Sequence, residues 1–116
     1  MVTITKQIGY MLPPQISYKI KLGQRQYTIA FDVQEFKDGG ETAYQWSEAT
    51  FELGRPSCSQ LVSAIIESRY PNDRMQAIIN NHLLDDGDAE HEAEWNAMQA
   101  WRAEAKAMAK DILAKL

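Results

Sequence analysis

The segment LLDDGDAEHEAEW, from Leu83 to Trp95, holds six carboxylates and one histidine and has no Lys or Arg. With His82 just before it, the stretch offers imidazole nitrogen and carboxylate oxygen, the donors that hold divalent cations in binding and hydrolytic sites. A tight turn would bring His82, Asp86 and His91 together, with Asp85 and Asp88 beside them. The common cation patterns set different demands. A calcium loop needs oxygen ligands at alternating positions and Gly at the sixth, where Gly87 is misplaced. Zinc needs three or four ligands oriented by further hydrogen bonds. The same charges have a structural use. Asp85, Asp86, Asp88, Glu90, Glu92 and Glu94 fall where a helix begins, and Arg102, Lys106, Lys110 and Lys115 lie towards its end, the polarity a helix macrodipole favours. A capped helix junction is the expectation; a metal or ligand site, with hydrolysis as its chemistry, is the alternative.

Cys58 is the other group with latent reactivity, because it falls in the first turn of a helix, where the dipole lowers a thiol pKa. A nucleophile also needs a base, and His82 and His91 belong to other helices. Cys58 therefore reads as a small packing residue beside Pro56. Glu48 and Glu52 read as solvent-facing strand residues, since nothing around them forms an apolar pocket. The chain has no phosphate loop, dinucleotide fingerprint, nucleophile elbow or paired-cysteine knuckle. A non-enzymatic protein without a cofactor is the expectation.

The elements that must position these residues follow from periodicity. The chain of 116 residues, 45% hydrophobic and 24% charged, suits one α+β domain across 1–116 with a small core. Its net charge of −4 argues against nucleic acid, whose affinity comes from clustered cations. No apolar run is long enough for a bilayer, and the single cysteine forms no internal disulfide, so a cytoplasmic protein is expected. Before Pro56 the apolar residues alternate. Ile16, Tyr18, Ile20 and Leu22 share one face of a strand, and Tyr27, Ile29, Phe31 and Val33 share one face of the next. With turns at Gly23-Gln24 and at KDGG, residues 15–54 predict a three-stranded antiparallel meander with strands near 15–22, 25–36 and 41–53. Tyr44 and Trp46 have opposite parity to Phe51 and Leu53, which calls for a bulge near Ser47-Glu48. Residues 1–14 are either a flexible arm or an edge strand through VTIT.

After Pro56 the period becomes helical, over residues 57–116. Ser57 and Gln60 match a capping box, and Leu61, Val62, Ile65 and Ile66 form a stripe that Pro71 ends. A second helix restarts at Asn72-Asp73, carries Met75, Ile78, Ile79, His82 and Leu83 on one side, and stops at Gly87. Asp88 then caps a third helix, from about Ala89 to Leu116, roughly 40 Å long at 1.5 Å per residue. Its stripe includes Trp95, Met98, Trp101, Met108 and Ile112. So long an apolar stripe needs cover, either from the two shorter helices or from another subunit. The stripe is the expected interaction surface, with a homodimer through this helix as one form.

YQWSEATFELGRPSCSQLVSAIIESRYPNDRMQAIINNHLLDD, followed by EHEAEWNAMQAWRAEAKAMAKDIL, resembles a group of small, uncharacterised proteins encoded in prophages and mobile regions of gut bacteria, often near phage tail genes. The matching positions are Trp46, LVSAII with Tyr70, AIINNHLLD from Ala77 to Asp85, EW, and MQAWR through Lys106. None is a catalytic motif. The resemblance implies a phage setting: a structural or assembly protein of the bacterial cytoplasm or of a virion, with a phage structural protein as partner.

Overall fold

Alternating β-branched and aromatic residues make strands of the first half of the chain, and helical spacing makes three helices of the second. The structure, a computed structural model, describes residues 2–52 and 54–116. Four strands, β1 (Val2–Gly9), β2 (Ile16–Lys21), β3 (Gln24–Asp38) and β4 (Glu41–Phe51), precede α1 (Cys58–Arg69), α2 (Asn72–Leu84) and α3 (Ala89–Lys115). The sheet is antiparallel in the order β1-β4-β3-β2. The fold is thus α+β with four strands rather than three. The β2-β3-β4 meander is as expected, and β1 is a full strand whose partner is β4, from Val2 against Phe51 to Gly9 against Tyr44.

Pro13 and Pro14 lie outside the ladder, in the connection that carries the chain from one sheet edge to the other. The β2–β3 turn uses Leu22 (φ 53°) and Gly23 (φ 78°) instead of Gly23-Gln24, and Gly39 and Gly40 make the β3–β4 turn as anticipated. Two positive φ values in succession match the right-handed twist of the strands they join.

The bulge is on β3 and not on β4. Phe31 pairs with Ser47 and Gln34 with Gln45, so Asp32 and Val33 together oppose Trp46. Asp32 adopts φ 55°, a left-handed conformation that Asp tolerates better than most residues. β4 consequently keeps one parity throughout. Ala43, Ser47, Ala49 and Phe51 are buried, while Tyr44 and Trp46 lie on the opposite face. There the Trp46 ring sits 3.1 Å from where a Cβ on Gly9 would stand, and its Nε1 donates to Glu48 at 2.9 Å. Leu53, expected to share the core face with Phe51, lies outside the described residues. Val33, just past the bulge, is exposed rather than aligned with Phe31.

The core joins Ile29, Phe31, Ala49 and Phe51 of the sheet to Leu61, Ala64 and Ile65 of α1 and to Trp101, Ala105, Ala109 and Ile112 of α3. Alanines at 49, 64, 105 and 109 let backbones approach, and the larger side chains interdigitate around them. The capping box of α1 forms as expected: Ser57 Oγ accepts from Gln60 N, and Gln60 Oε1 accepts from Ser57 N. α1 ends at Tyr70, before Pro71. α2 stops because Asp85 itself turns left-handed at φ 49°, two residues before Gly87.

The stripe of α3 is covered by its own chain. Met98, Trp101 and Ile112 are buried, and Trp95 and Met108 are half-buried, under α1, α2 and the sheet. Met98, Trp101 and Ile112, foreseen as an interaction surface, are thus core residues of the single chain, while Trp95 and Met108 keep part of their surface.

Arg69, in the last turn of α1, ties the layers together. Its Nε donates to Asp32 Oδ2 at 3.0 Å and its Nη2 to Oδ1 at 2.7 Å, and its guanidinium lies 3.6 Å over the Trp101 ring. Trp101 Nε1 in turn donates to the Ile65 carbonyl at 3.0 Å. Desolvation opposes ionisation of Asp32, but the Arg69 hydrogen bonds and charge outweigh it and hold the carboxyl below the ordinary Asp value. Asp32→Asn keeps the left-handed backbone while removing the charge. It should lower stability by about 1.5 kcal/mol, the low end for charged hydrogen bonds because Arg69 is 39% exposed. Asp32→Ala should cost about 1 kcal/mol more through backbone strain. Denaturant unfolding of both variants checks this order. The contribution should be complete above the ordinary Asp pKa and lost as pH falls through the depressed one.

Candidate functional site

Three places bear on function: the acidic junction, the cleft at the bulge, and the free edge of β2. At the junction α2 ends, the chain turns, and α3 starts under its Asp88 cap. Asp88 Oδ1 accepts from Glu90 N at 2.9 Å and His91 N at 3.4 Å, and Asp86 Oδ1 accepts from Asp88 N at 3.0 Å. His91 Nδ1 lies 3.1 Å from Asp86 Oδ2. Asp86, Asp88 and His91 bring one ligand atom each within 4.8 Å of one another. Each of these groups already holds a backbone amide or a neighbour.

Partial desolvation works against the charge on His91, but the Asp86 hydrogen bond and the Asp88, Asp86 and Glu94 charges outweigh it and raise its pKa. The backbone amide of Asp88 is the main cause that lowers the Asp86 pKa. His82, the first-named of the candidate metal residues, is not part of this group. It stacks on Trp95 with ring centroids 3.9 Å apart and planes within 1° of parallel, and its Nδ1 lies 3.0 Å from Glu92 Oε1. Helical phase explains the separation. His82 lies on the α2 side facing α3, whereas His91 reaches back to the turn. Asp85 is the αL cap of α2.

The cleft at the bulge, about 290 Å³, is lined by Lys6, Gln7, Ile8, Asp32, Gln34, Gln45, Trp46 and Ser47. Lys6 Nζ donates to Ser47 Oγ at 3.1 Å. A Ser–Lys pair has the composition of a nucleophile and base, but Ser47 is only 1% exposed and lies beneath the cleft surface, out of a substrate's reach. Asp32 is committed to Arg69. Strand alternation sends Asp32 to the open face, and only the bulge aims it at α1, so its pairing has no signal in the sequence. Cys58 opens α1 and packs against the core, while both histidines are held at the junction by carboxylates.

The third place is the outer edge of β2. Ile16 packs against the core, but Tyr18, Ile20 and Leu22, expected on the same buried face, are 55%, 65% and 96% exposed. Tyr18 opposes Tyr27 and Ile20 opposes Arg25, and the strand is terminal in the sheet. The core cluster stops at Ile16 and Ile29, so the remainder of this apolar row is uncovered. The Arg25 guanidinium lies 4.6 Å over the Tyr18 ring. This row of exposed apolar residues beside unpaired strand backbone is the candidate site. Its alternation is legible in the sequence; its exposure is not. Among the described residues no helix is long and apolar enough to cross a membrane.

Two outcomes follow for the junction. Asp88→Ala should lower stability by about 1 kcal/mol by freeing two amides at the start of α3, while a chelator leaves the melting temperature unchanged. A fall on chelation would make the junction a metal site. For His91, whose folded pKa is raised, the stabilisation is complete below the ordinary histidine value and fades as pH rises through the higher folded one. His91→Gln should therefore destabilise the protein more in mildly acidic than in mildly alkaline buffer, read as the difference in melting temperature.

Comparison of the chain with protein-family models, with curated proteins and with solved structures finds no match, so the site rests on its own residues.

Proposed function

We propose that the chain is a non-enzymatic protein that works by protein–protein contact in a phage-related assembly, in the bacterial cytoplasm or on a virion. The observation that carries this reading is the uncovered row of Tyr18, Ile20 and Leu22 along a free strand edge. Exposed apolar side chains occur singly on any surface, but a row beside unpaired backbone offers both apolar area and a hydrogen-bonding ladder to another chain. Leu22 adds to the argument. It combines a left-handed φ of 53° with near-complete exposure at a turn position that Asn or Gly would fill with less strain. The phage setting comes from the resemblance of the segments from Tyr44 onward.

A second reading, a small metal-binding protein, is favoured by the convergence of Asp86, Asp88 and His91. Against it, these groups already have structural partners: Asp88 caps α3, and Asp86 holds the Asp88 amide and the His91 ring.

In an extract of its own cells the protein should elute as a complex heavier than one chain. Ile20→Glu should return it to single-chain mass without altering its circular dichroism. Elution of the wild-type protein as a single chain would overturn the proposal.

A further inference from the structure

The reading of β2 as a contact edge leaves its occupant open, and the charges on that edge select one. Residues 1–31 contain Lys6, Lys19, Lys21 and Arg25 and no Asp or Glu, although the chain as a whole carries a net charge of −4. Two of these cations, Lys19 and Lys21, alternate with Tyr18 and Ile20 along β2, and Leu22 follows in the turn. Strand alternation puts them on the face opposite the apolar row, beside Ser17. Among the described residues neither lysine has an ion-pair or hydrogen-bond partner.

We propose that the outer edge of β2 receives an extended peptide in which apolar residues alternate with Asp or Glu. This inference rests on the interaction reading above. Such a peptide would pair its backbone with the free edge of Ile16–Lys21, lay its apolar side chains beside Tyr18 and Ile20, and place its carboxylates beside Lys19 and Lys21. Side chains directly opposed across two strands are about 5 Å apart, close enough for each lysine to meet a carboxylate.

Lysines on an edge strand also deter pairing, and that effect sharpens the choice. A second copy docking β2 against β2 about a two-fold axis normal to the sheet keeps like faces together. It therefore sets the Lys19 and Lys21 face of one copy against the same face of the other, where like charges oppose each other. An acidic strand meets no such penalty. β1, the other edge, has no acidic residue either and supplies nothing to neutralise Lys19 and Lys21. Charge complementarity thus favours an acidic, alternating strand from a different protein over another copy of this chain.

The probe is a short synthetic peptide alternating Val and Glu, fluorescently labelled, with a Val–Lys peptide of equal length as its counterpart. The full chain should bind the Val–Glu peptide and not the Val–Lys one, with affinity falling as salt rises. The double variant Lys19→Glu/Lys21→Glu should lose about tenfold in affinity for Val–Glu and gain affinity for Val–Lys. Both lysines are exposed, so circular dichroism should show the variant folded as the wild type is. Binding to both peptides alike, to neither, or unaffected by the charge reversal would overturn the proposal, as would a wild-type dimer dissolved by Ile20→Glu. If the peptides fail while Ile20→Glu still releases the chain from its complex in extracts, the acidic strand is wrong and the contact edge stands. If both experiments fail, both readings fall.

Discussion

A single guanidinium connects the sheet of this molecule to two of its helices. Arg69 holds both oxygens of Asp32 on the sheet and covers the face of Trp101 on α3, while belonging to the last turn of α1. Its planar shape explains how one group serves both neighbours, since the in-plane hydrogens meet a carboxylate and the flat face meets an aromatic ring. The β3 bulge is intelligible through this contact. A bulge re-aims one side chain relative to the strand, and here it brings to the helix layer a carboxylate that ordinary alternation would leave on the opposite face. The left-handed backbone at Asp32 is retained because its side chain is so well partnered.

Around that joint the molecule divides into a well-covered half and a lightly covered one. α3 is buried in the core it shares with α1 and the sheet through Trp101, Ala105, Ala109 and Ile112. Its first turns pack against α2, where Trp95 stacks on His82, and α2 buries a single residue, Ile78, and ends in exposed Leu83 and Leu84. The acidic junction lies at this lighter end. Its charges act as local devices there, and the same donors that suggested a metal centre are occupied in starting α3 and restraining the turn before it.

The sheet is asymmetric in the same way. β1 has α1 packed near it, whereas β2 extends past the helix layer with its apolar row uncovered. Edge strands generally carry some protection against unwanted pairing, and on β2 the lysines provide it against like-charged strands while leaving oppositely charged ones admissible. Protection and selectivity there are the same electrostatic property.

The sequence by itself determined the change from period two to helical period at Pro56, the capping box of Ser57 and Gln60, the Asp88 cap and the apolar stripe of α3. Each is a local matter of side-chain spacing or of a hydrogen bond within one turn. Only the tertiary structure decided the rest. Register belongs to a pair of strands, so alternation in β4 alone could not tell that the extra residue sits in β3. Whether residues 2–9 form an arm or a strand depended on β4 having a free side. Whether Trp101 and Met98 face a partner or the core depended on where α1 and α2 lie, because an apolar stripe specifies that it must be covered and not by what. His82 and His91, near in sequence, part company because two helices meeting at a turn project their side chains by helical phase. Tyr18 and Ile20 read as core residues by alternation and are exposed because the helix layer ends before it reaches them.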